Sequence, residues 1–406
     1  MKNRIFNKDF ILLCQGTLFS TFGAVLYSAA IAYWVYEKTG STTLMGLLSG
    51  ISFAVRIFAG PISGSLTDHL RKRNILVYTD LIRGLIFIVL GLLAFRNTMS
   101  VAMVVIVALV SGACSSLFDP ASTALVPEIL EESVLIKGQS LLSGSSTIIN
   151  LIGMALSGML IVKFGVPILI LVNGICYVVS ALSEWFIRNY PSHKTEETAS
   201  LKTIRNDITE SFAYIRNDMG LMKIGLIVVL ANFLIAGFFN LLLPYCLENG
   251  MTTVQYGYLG AFISAGSLIG TLLLTVVDVY HRKPMRIIGY GMLGFVLCGA
   301  AAIFLASFKV TSVLFLICFI FNGVFNGILT GIMIMLIPED KRGTLFGTFM
   351  TVTMIGNTAS SLMYGVLGDL IPLRILGTVA FLLGLIPLAL AFDKDVQGIQ
   401  INQSEA

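Results

Sequence analysis

Long apolar runs separated by short polar breaks dominate the chain. The first, Phe10 to Tyr36, contains no charged residue, and similar runs recur at about 44–66, 75–95, 101–122, 139–162 and 166–187. After a polar stretch six more follow, at about 224–247, 255–277, 287–306, 312–336, 344–366 and 372–392. A helix needs about 20 apolar residues to cross the hydrocarbon core, so the pattern predicts twelve transmembrane helices. Met1, Lys2, Arg4 and Lys8 carry the charge of a signal peptide, but the run behind them is too long and lacks a small-residue cleavage site. It reads as an uncleaved first helix.

Composition sharpens this picture. The 406 residues are 56% hydrophobic and only 12% charged, against about 25% charged in a soluble domain. The mean hydropathy is +0.90. A soluble enzyme, a disordered chain and a disulfide-stapled secreted domain are thereby excluded, and a net charge of +4 is too small to argue for a nucleic-acid partner. The placement of Lys and Arg predicts orientation. With the N-terminus inside, the cytoplasmic segments hold nineteen basic residues and the outer loops five, Lys38, Arg96, Lys163, Lys309 and Arg374. The expectation is a multi-pass protein of a bacterial plasma membrane with both termini cytoplasmic.

The stretch from Arg188 to Lys223 carries eleven charged residues. In it Leu201, Ile204, Ile208, Phe212 and Ile215 recur at helical spacing, which predicts an amphipathic cytoplasmic helix. On either side the chain repeats itself. Asp68 with Arg71, Lys72 and Arg73 follows the second span, and Asp278 with His281, Arg282 and Lys283 follows the eighth, 210 positions later. Pro127-Glu128 recurs as Pro338-Glu339. The expected organisation is an N-terminal six-helix bundle (1–188), a linker (189–223), a C-terminal six-helix bundle (224–393) and a tail (394–406). Two pseudo-symmetric bundles around a midplane site are the plan of many secondary transporters.

Cofactor chemistry finds little footing. The six cysteines lie in or beside apolar spans without paired spacing, the three histidines sit in loops away from metal-ligand spacing, and there is no GxxxxGK[ST] loop for a nucleotide. No metal, no cofactor and no catalytic residue is expected, and the chain reads as no enzyme.

The string GSLTDHLRKR (64–73) resembles the cytoplasmic loop motif of the major facilitator superfamily. QGTLFSTFG (15–23), YEKTGS (36–41), GPISGSLTD (60–68), FDPASTALVPE (118–128) and PEDKRGTLFG (338–347) resemble its macrolide-efflux branch of drug:proton antiporters. The resemblance implies an all-α fold of twelve helices in two bundles, a small-molecule cargo, protons as coupling ion, a lipid bilayer and a monomer. It also implies that Gly64, Asp68, Arg71, Lys72, Arg73 and Asp119 form a cytoplasmic gate, with Asp68 as the motif acid and Arg71 and Asp119 as its relay partners. The chain departs from the branch where an acid commonly follows the glycine of helix 1, because Gly23 is followed by Ala24. Gly153-Met154 and Ser157-Gly158 replace the antiporter signature of helix 5.

Buried ionisable groups in lipid mark pathways or gates. At about 1.5 Å per residue, Asp80 lies roughly 8 Å and Arg83 roughly 12 Å into helix 3. By the same rise Asp119 returns, about 27 Å from the outer end of helix 4, to the cytoplasmic level of Asp68 and Arg71. Arg56, about 18 Å up helix 2 from Asp68, meets no acid at its level and is expected to face a cavity, where it could bind an anionic cargo group. Glu184 lies near the inner edge. Tyr27, Tyr33, Asn150, Asn232, Asn240, Asn322, Asn326 and Asn357 are candidate cavity residues, because buried amides and hydroxyls need partners. Glycines spaced by four, among them Gly266 with Gly270 and Gly323 with Gly327, predict close helix contacts. The leading function is export of a hydrophobic or amphiphilic small molecule, drug- or macrolide-like, by proton-coupled alternating access. Protonation then falls on Asp80, Asp119 or Glu184. An uptake symporter or a lipid or siderophore carrier shares these features, and a non-transporting membrane sensor is the alternative of another class.

Overall fold

The computed structural model describes residues 5–188, 190, 210, 213–276, 284–337 and 342–392. The described residues form α1 (Lys8–Thr39), α2 (Thr42–His69), α3 (Lys72–Phe95) and α4 (Val101–Ile129), then the continuous stretch Glu132–Trp185. That stretch turns at Gly165, φ 77°, into α5 (132–164) and α6 (166–185). There follow α7 (Met219–Phe239, resuming as Leu242–Glu248), α8 (Thr253–Val276), α9 (Pro284–Leu305), α10 (Phe308–Leu336), α11 (Arg342–Gly368) and α12 (Leu373–Leu383, resuming as Leu385–Ala391). Ten of these described stretches, α5 and α6 counted as one, are long and apolar enough to cross a membrane.

Local chemistry sets the ends. The Asn7 side chain accepts from the Phe10 amide at 2.8 Å, capping α1, and donates to the Ile129 carbonyl at 3.0 Å, tying that cap to the end of α4. Gly40 takes φ 63° and returns its amide to Tyr36, the left-handed terminator that favours glycine. The two interruptions that the apolar pattern does not predict have a common cause. Pro244 and Pro387 lack the amide that would bond four residues back, and the ladder breaks at Asn240–Leu241 and at Gly384.

The chain divides into two compact units, one of residues 1–40, 51–199 and 256–261, the other of 41–50, 200–255 and 262–406. In the first unit α6 lies between α1 and α3. Gly23 of α1 meets Asn173 and Cys176, and Gly84 and Gly91 of α3 meet Val178 and Leu171. In the second, α12 stands in the same relation to α7 and α9, with Gly377 against Phe238 and Gly299 against Phe381. The first residues of α2 belong to the second unit because Gly46 sits directly on the α11 backbone at Ser361 and Gly365.

The faces of α3 are reversed relative to a water-soluble helix. Leu81, Leu85, Val89 and Leu92 point outward, while Asp80, Arg83, Phe87 and Leu90 are buried. Apolar side chains outward and charges inward suit a hydrocarbon solvent, which rewards no burial of leucine but penalises every exposed charge. The residues that would otherwise be the costliest are therefore held in the helix interface.

Candidate functional site

That interface, between α1, α3, α4 and α6, holds the main cluster of ionisable groups inside the spans. Arg83 and Asp80, one turn apart on α3, form an ion pair and are 5% and 0% exposed. The guanidinium also donates to the Thr79 carbonyl at 3.4 Å and to Ser115 Oγ on α4 at 3.3 Å. It lies over the rings of Phe118 and Tyr177, 4.7 and 4.5 Å from their centroids, so its flat faces are covered as well as its edges. On α6, Ser180 Oγ donates to Glu184 Oε1 at 3.4 Å and also contacts the Asp80 carboxyl. Glu184 is fully buried. Gly16 of α1 makes room for it, since a Cβ there would stand 3.2 Å from Glu184 Oε1 and 3.0 Å from Ser180 Oγ.

Arg56 does not face the site without an acid, as the sequence leads one to expect; it pairs with Asp119. Arg56 lies at the depth expected of it, but judging Asp119 against an expected span end at about 122 places it too near the helix end. α2 runs on to His69 and α4 to Ile129, so they lie thirteen and ten residues before their helix ends and at similar depth. Asp119 is correspondingly engaged with Arg56 instead of Arg71. Of the other gate residues, Arg71 is exposed at the start of α3, Lys72 pairs with Glu128 of α4, and Arg73 donates to the Trp185 carbonyl and stacks on its ring. Gly64 and Asp68 fall in the stretch 60–69, whose side chains lie outside the described residues, as do the second-half motif (278–283) and most of the amphipathic linker.

The polar residues expected to line a cavity are dispersed. The Tyr27 ring packs 4.5 Å from Phe87, which stacks on Tyr177, in the aromatic core of α1, α3 and α6. The Asn240 amide donates to Ser361 Oγ at 2.9 Å across α7 and α11. Tyr33 donates to Glu37 near the end of α1, Asn232 to the Val228 carbonyl and Asn326 to the Asn322 carbonyl. Asn150 is exposed, Asn322 half-buried, and Asn357 Oδ1 is buried without a partner. Tyr33 lines a cavity of about 590 Å³ near the end of α1 with Trp34, Glu37 and Lys38, but none of these residues lines the larger cavity between α1 and α5. That cavity, about 670 Å³, lies between α1 and α5, with Phe10, Cys14, Leu18, Phe22, Ser145 and Ile149 among its walls. Its lining is apolar, so a search for polar residues in apolar runs passes over it. Tyr177 and Ser180 escape such a search for a different reason: nothing in a single span shows which of its polar residues meets a charge on another helix.

A second polar site lies at the far end of α2 from Lys72. Asp369, just past α11, accepts from the Thr42 amide at 2.6 Å, Thr42 Oγ1 at 2.8 Å, Ser41 Oγ at 3.0 Å and the Thr43 amide at 3.2 Å. It caps α2 from a distance of more than three hundred residues along the chain. Burial pushes its carboxyl up, but the bonds from Thr43, Thr42 and Ser41 outweigh this and hold it at about 2, below the ordinary 3.8. A depressed native pKa adds stability that is complete above the unfolded value and is lost as the pH falls through the native one. Asp369→Asn is therefore expected to lower the melting temperature in detergent by a constant amount between about pH 8 and pH 5, the gap closing only below about pH 4. Melting curves of both proteins across that range test this, and a gap that stayed constant to the lowest pH would contradict the assignment.

The profile of the Major Facilitator Superfamily matches residues 13–361. Macrolide efflux protein A of Streptococcus pyogenes is 25% identical over 281 residues, 68% of this chain and 69% of that protein. The multidrug efflux pump Tap of Mycobacterium bovis (strain BCG / Pasteur 1173P2) is 22% identical over 282 residues, 68% and 67% of the two chains. Among solved structures, a bacterial homolog of the human lysosomal transporter Spinster, in an inward-facing and unoccupied conformation, superposes with a TM-score of 0.80. The identity is 14%, over 99% of this chain and all of that one. The nucleoside transporter NupG, as a point mutant, superposes with a TM-score of 0.74 at 11% identity, over 94% of this chain and all of that one. At such identities the solved structures establish the shared fold alone.

Proposed function

As the chain belongs to the Major Facilitator Superfamily, we propose that it is a secondary transporter that exports a hydrophobic or amphiphilic small molecule, driven by the proton gradient through alternating access. The cavity between α1 and α5 carries this reading. Its volume of about 670 Å³ falls in the range of about 300–1,000 Å³ that drug-sized ligands occupy. Phenylalanine and leucine walls with Gln15 and Ser145 as polar points favour shape and apolar area over specific polar recognition. The two efflux relatives support the direction, and the excess of basic residues in the loops on the side of both termini supports a cytoplasmic placement of those loops.

Cells expressing the chain are expected to accumulate severalfold less of a macrolide or an amphiphilic dye than cells without it, and an uncoupler is expected to remove the difference. Ser145→Trp, which projects an indole into the cavity, is expected to raise accumulation again while the protein remains in the membrane. Accumulation unchanged by expression across a panel of apolar compounds would overturn export, and export indifferent to the uncoupler would overturn proton coupling.

A further inference from the structure

We infer that the Asp80–Glu184 pair is a proton-binding site, with the proton on Glu184 while this interface is closed. The site itself follows from geometry; its service as the coupling site rests on the proton-driven reading above.

Three observations converge. In the interior of the first unit's spans, the described carboxyls are Asp80, Asp119 and Glu184, against two guanidiniums, Arg56 and Arg83. Each guanidinium already has its own acid, and Glu184 is left over. Second, the hydroxyl of Ser180 contacts both Glu184 and Asp80, yet a serine has a single hydrogen to donate. Two ionised carboxylates cannot both receive it, whereas a protonated carboxyl can donate back. Third, Asp80 Oδ2 and Glu184 Oε2 are both buried without a hydrogen-bond partner. A bare carboxylate oxygen in a membrane interior is costly. A proton on Glu184 removes the surplus charge, so the atom left bare belongs to a neutral carboxyl and costs less to bury.

Among the described neighbours of the pair the one cation is Arg83 on α3, which is bonded to Asp80 and also faces Glu184. The others are Gly16 on α1, Cys114 and Ser115 on α4, and Tyr177 on α6, with Arg56 of α2 further out and paired to Asp119. The pair is sealed on the side where α1 begins. Leu13, Leu76, Phe118 and Ile187 each lie one turn from Gly16, Asp80, Ser115 and Glu184 towards that end, and belong to one buried apolar cluster. Side chains on α6 lean towards its N-terminus, which turns Glu184 inward from the helix end. Proton release therefore requires this apolar plug to loosen, which ties occupancy to a conformational change.

The test is infrared difference spectroscopy on the full chain in lipid vesicles, stepping the pH from neutral to alkaline. The expected result is a carbonyl-stretch band of a protonated carboxyl at neutral pH that disappears on the alkaline side. It shifts when the glutamates carry a carbon-13 carboxyl label, is absent in Glu184→Gln and persists in Asp119→Asn. Labelling needs no mutation, so a Glu184→Gln protein that fails to fold leaves the test intact. No titrating carboxyl band, or one that shifts with labelled aspartate instead, overturns the assignment. If the band behaves as expected while the chain exports none of the compounds tried, the site stands and the export reading fails. If export is uncoupler-sensitive and the band is absent, the reverse holds.

Discussion

Replacing Arg83 by methionine is expected to destabilise the chain by about 3–5 kcal/mol, a large fraction of the stability of an ordinary domain. Methionine keeps much of the side chain's length and its contact with the Phe118 and Tyr177 rings, so packing accounts for little of the loss. The cost arises at Asp80, which is 0% exposed and paired with Arg83. Without that partner a carboxyl is held in the membrane interior beside a second carboxyl, Glu184. Adding Asp80→Asn removes the stranded charge, and the double variant is expected to recover most of the loss, since a buried pair replaced as a whole is often close to neutral. Unfolding in mixed micelles by a denaturing detergent measures all three proteins. A single variant within about 1 kcal/mol of wild type, or a double variant no better than the single, would mean that the pair does not hold this interface together.

The second large effect is expected from one methyl group. A Cβ on Gly270 of α8 would stand well inside contact distance of the Ile320 carbonyl oxygen and 3.0 Å from the Gly323 Cα of α10. Both are backbone atoms and cannot swing aside, so Gly270→Ala must push two helices apart at the point where they touch. About 1–3 kcal/mol is expected to be lost. At Gly144 of α5 the same substitution meets nothing within 4 Å. There it only exchanges a poor helix former for a good one and is expected to gain up to about 1 kcal/mol. Opposite signs for one chemical change isolate the close approach as the cause. Equal signs in the same unfolding measurement would falsify it.

The Gly270 contact is legible in the amino-acid sequence, because glycines repeating every four residues in an apolar helix have few other uses. Gly266, Gly270 and Gly323 do meet at the α8–α10 crossing. Asp80 with Arg83 is legible for a related reason: two charges three apart in an apolar run share a helix face and can satisfy each other. Arg56 with Asp119 is not. Their partnership depends on how far α2 and α4 extend past the apolar runs, and on which faces they turn to each other. Asp369 is invisible for the same reason, since its partners Ser41, Thr42 and Thr43 are distant in the chain and unremarkable in composition.

The sequence by itself determined the all-helical membrane architecture, the approximate limits of the apolar helices, and the small set of charges left inside the spans. It could do so because a hydrocarbon solvent acts residue by residue: every polar group in a span must be rare and must be answered. Only the tertiary structure decided which group answers which. Arg83 lies against Asp80, Arg56 against Asp119, and Glu184 against a serine hydroxyl with no cation of its own among the described residues. Those pairings follow from helix rotation and overlap, which packing between helices fixes and no single span records.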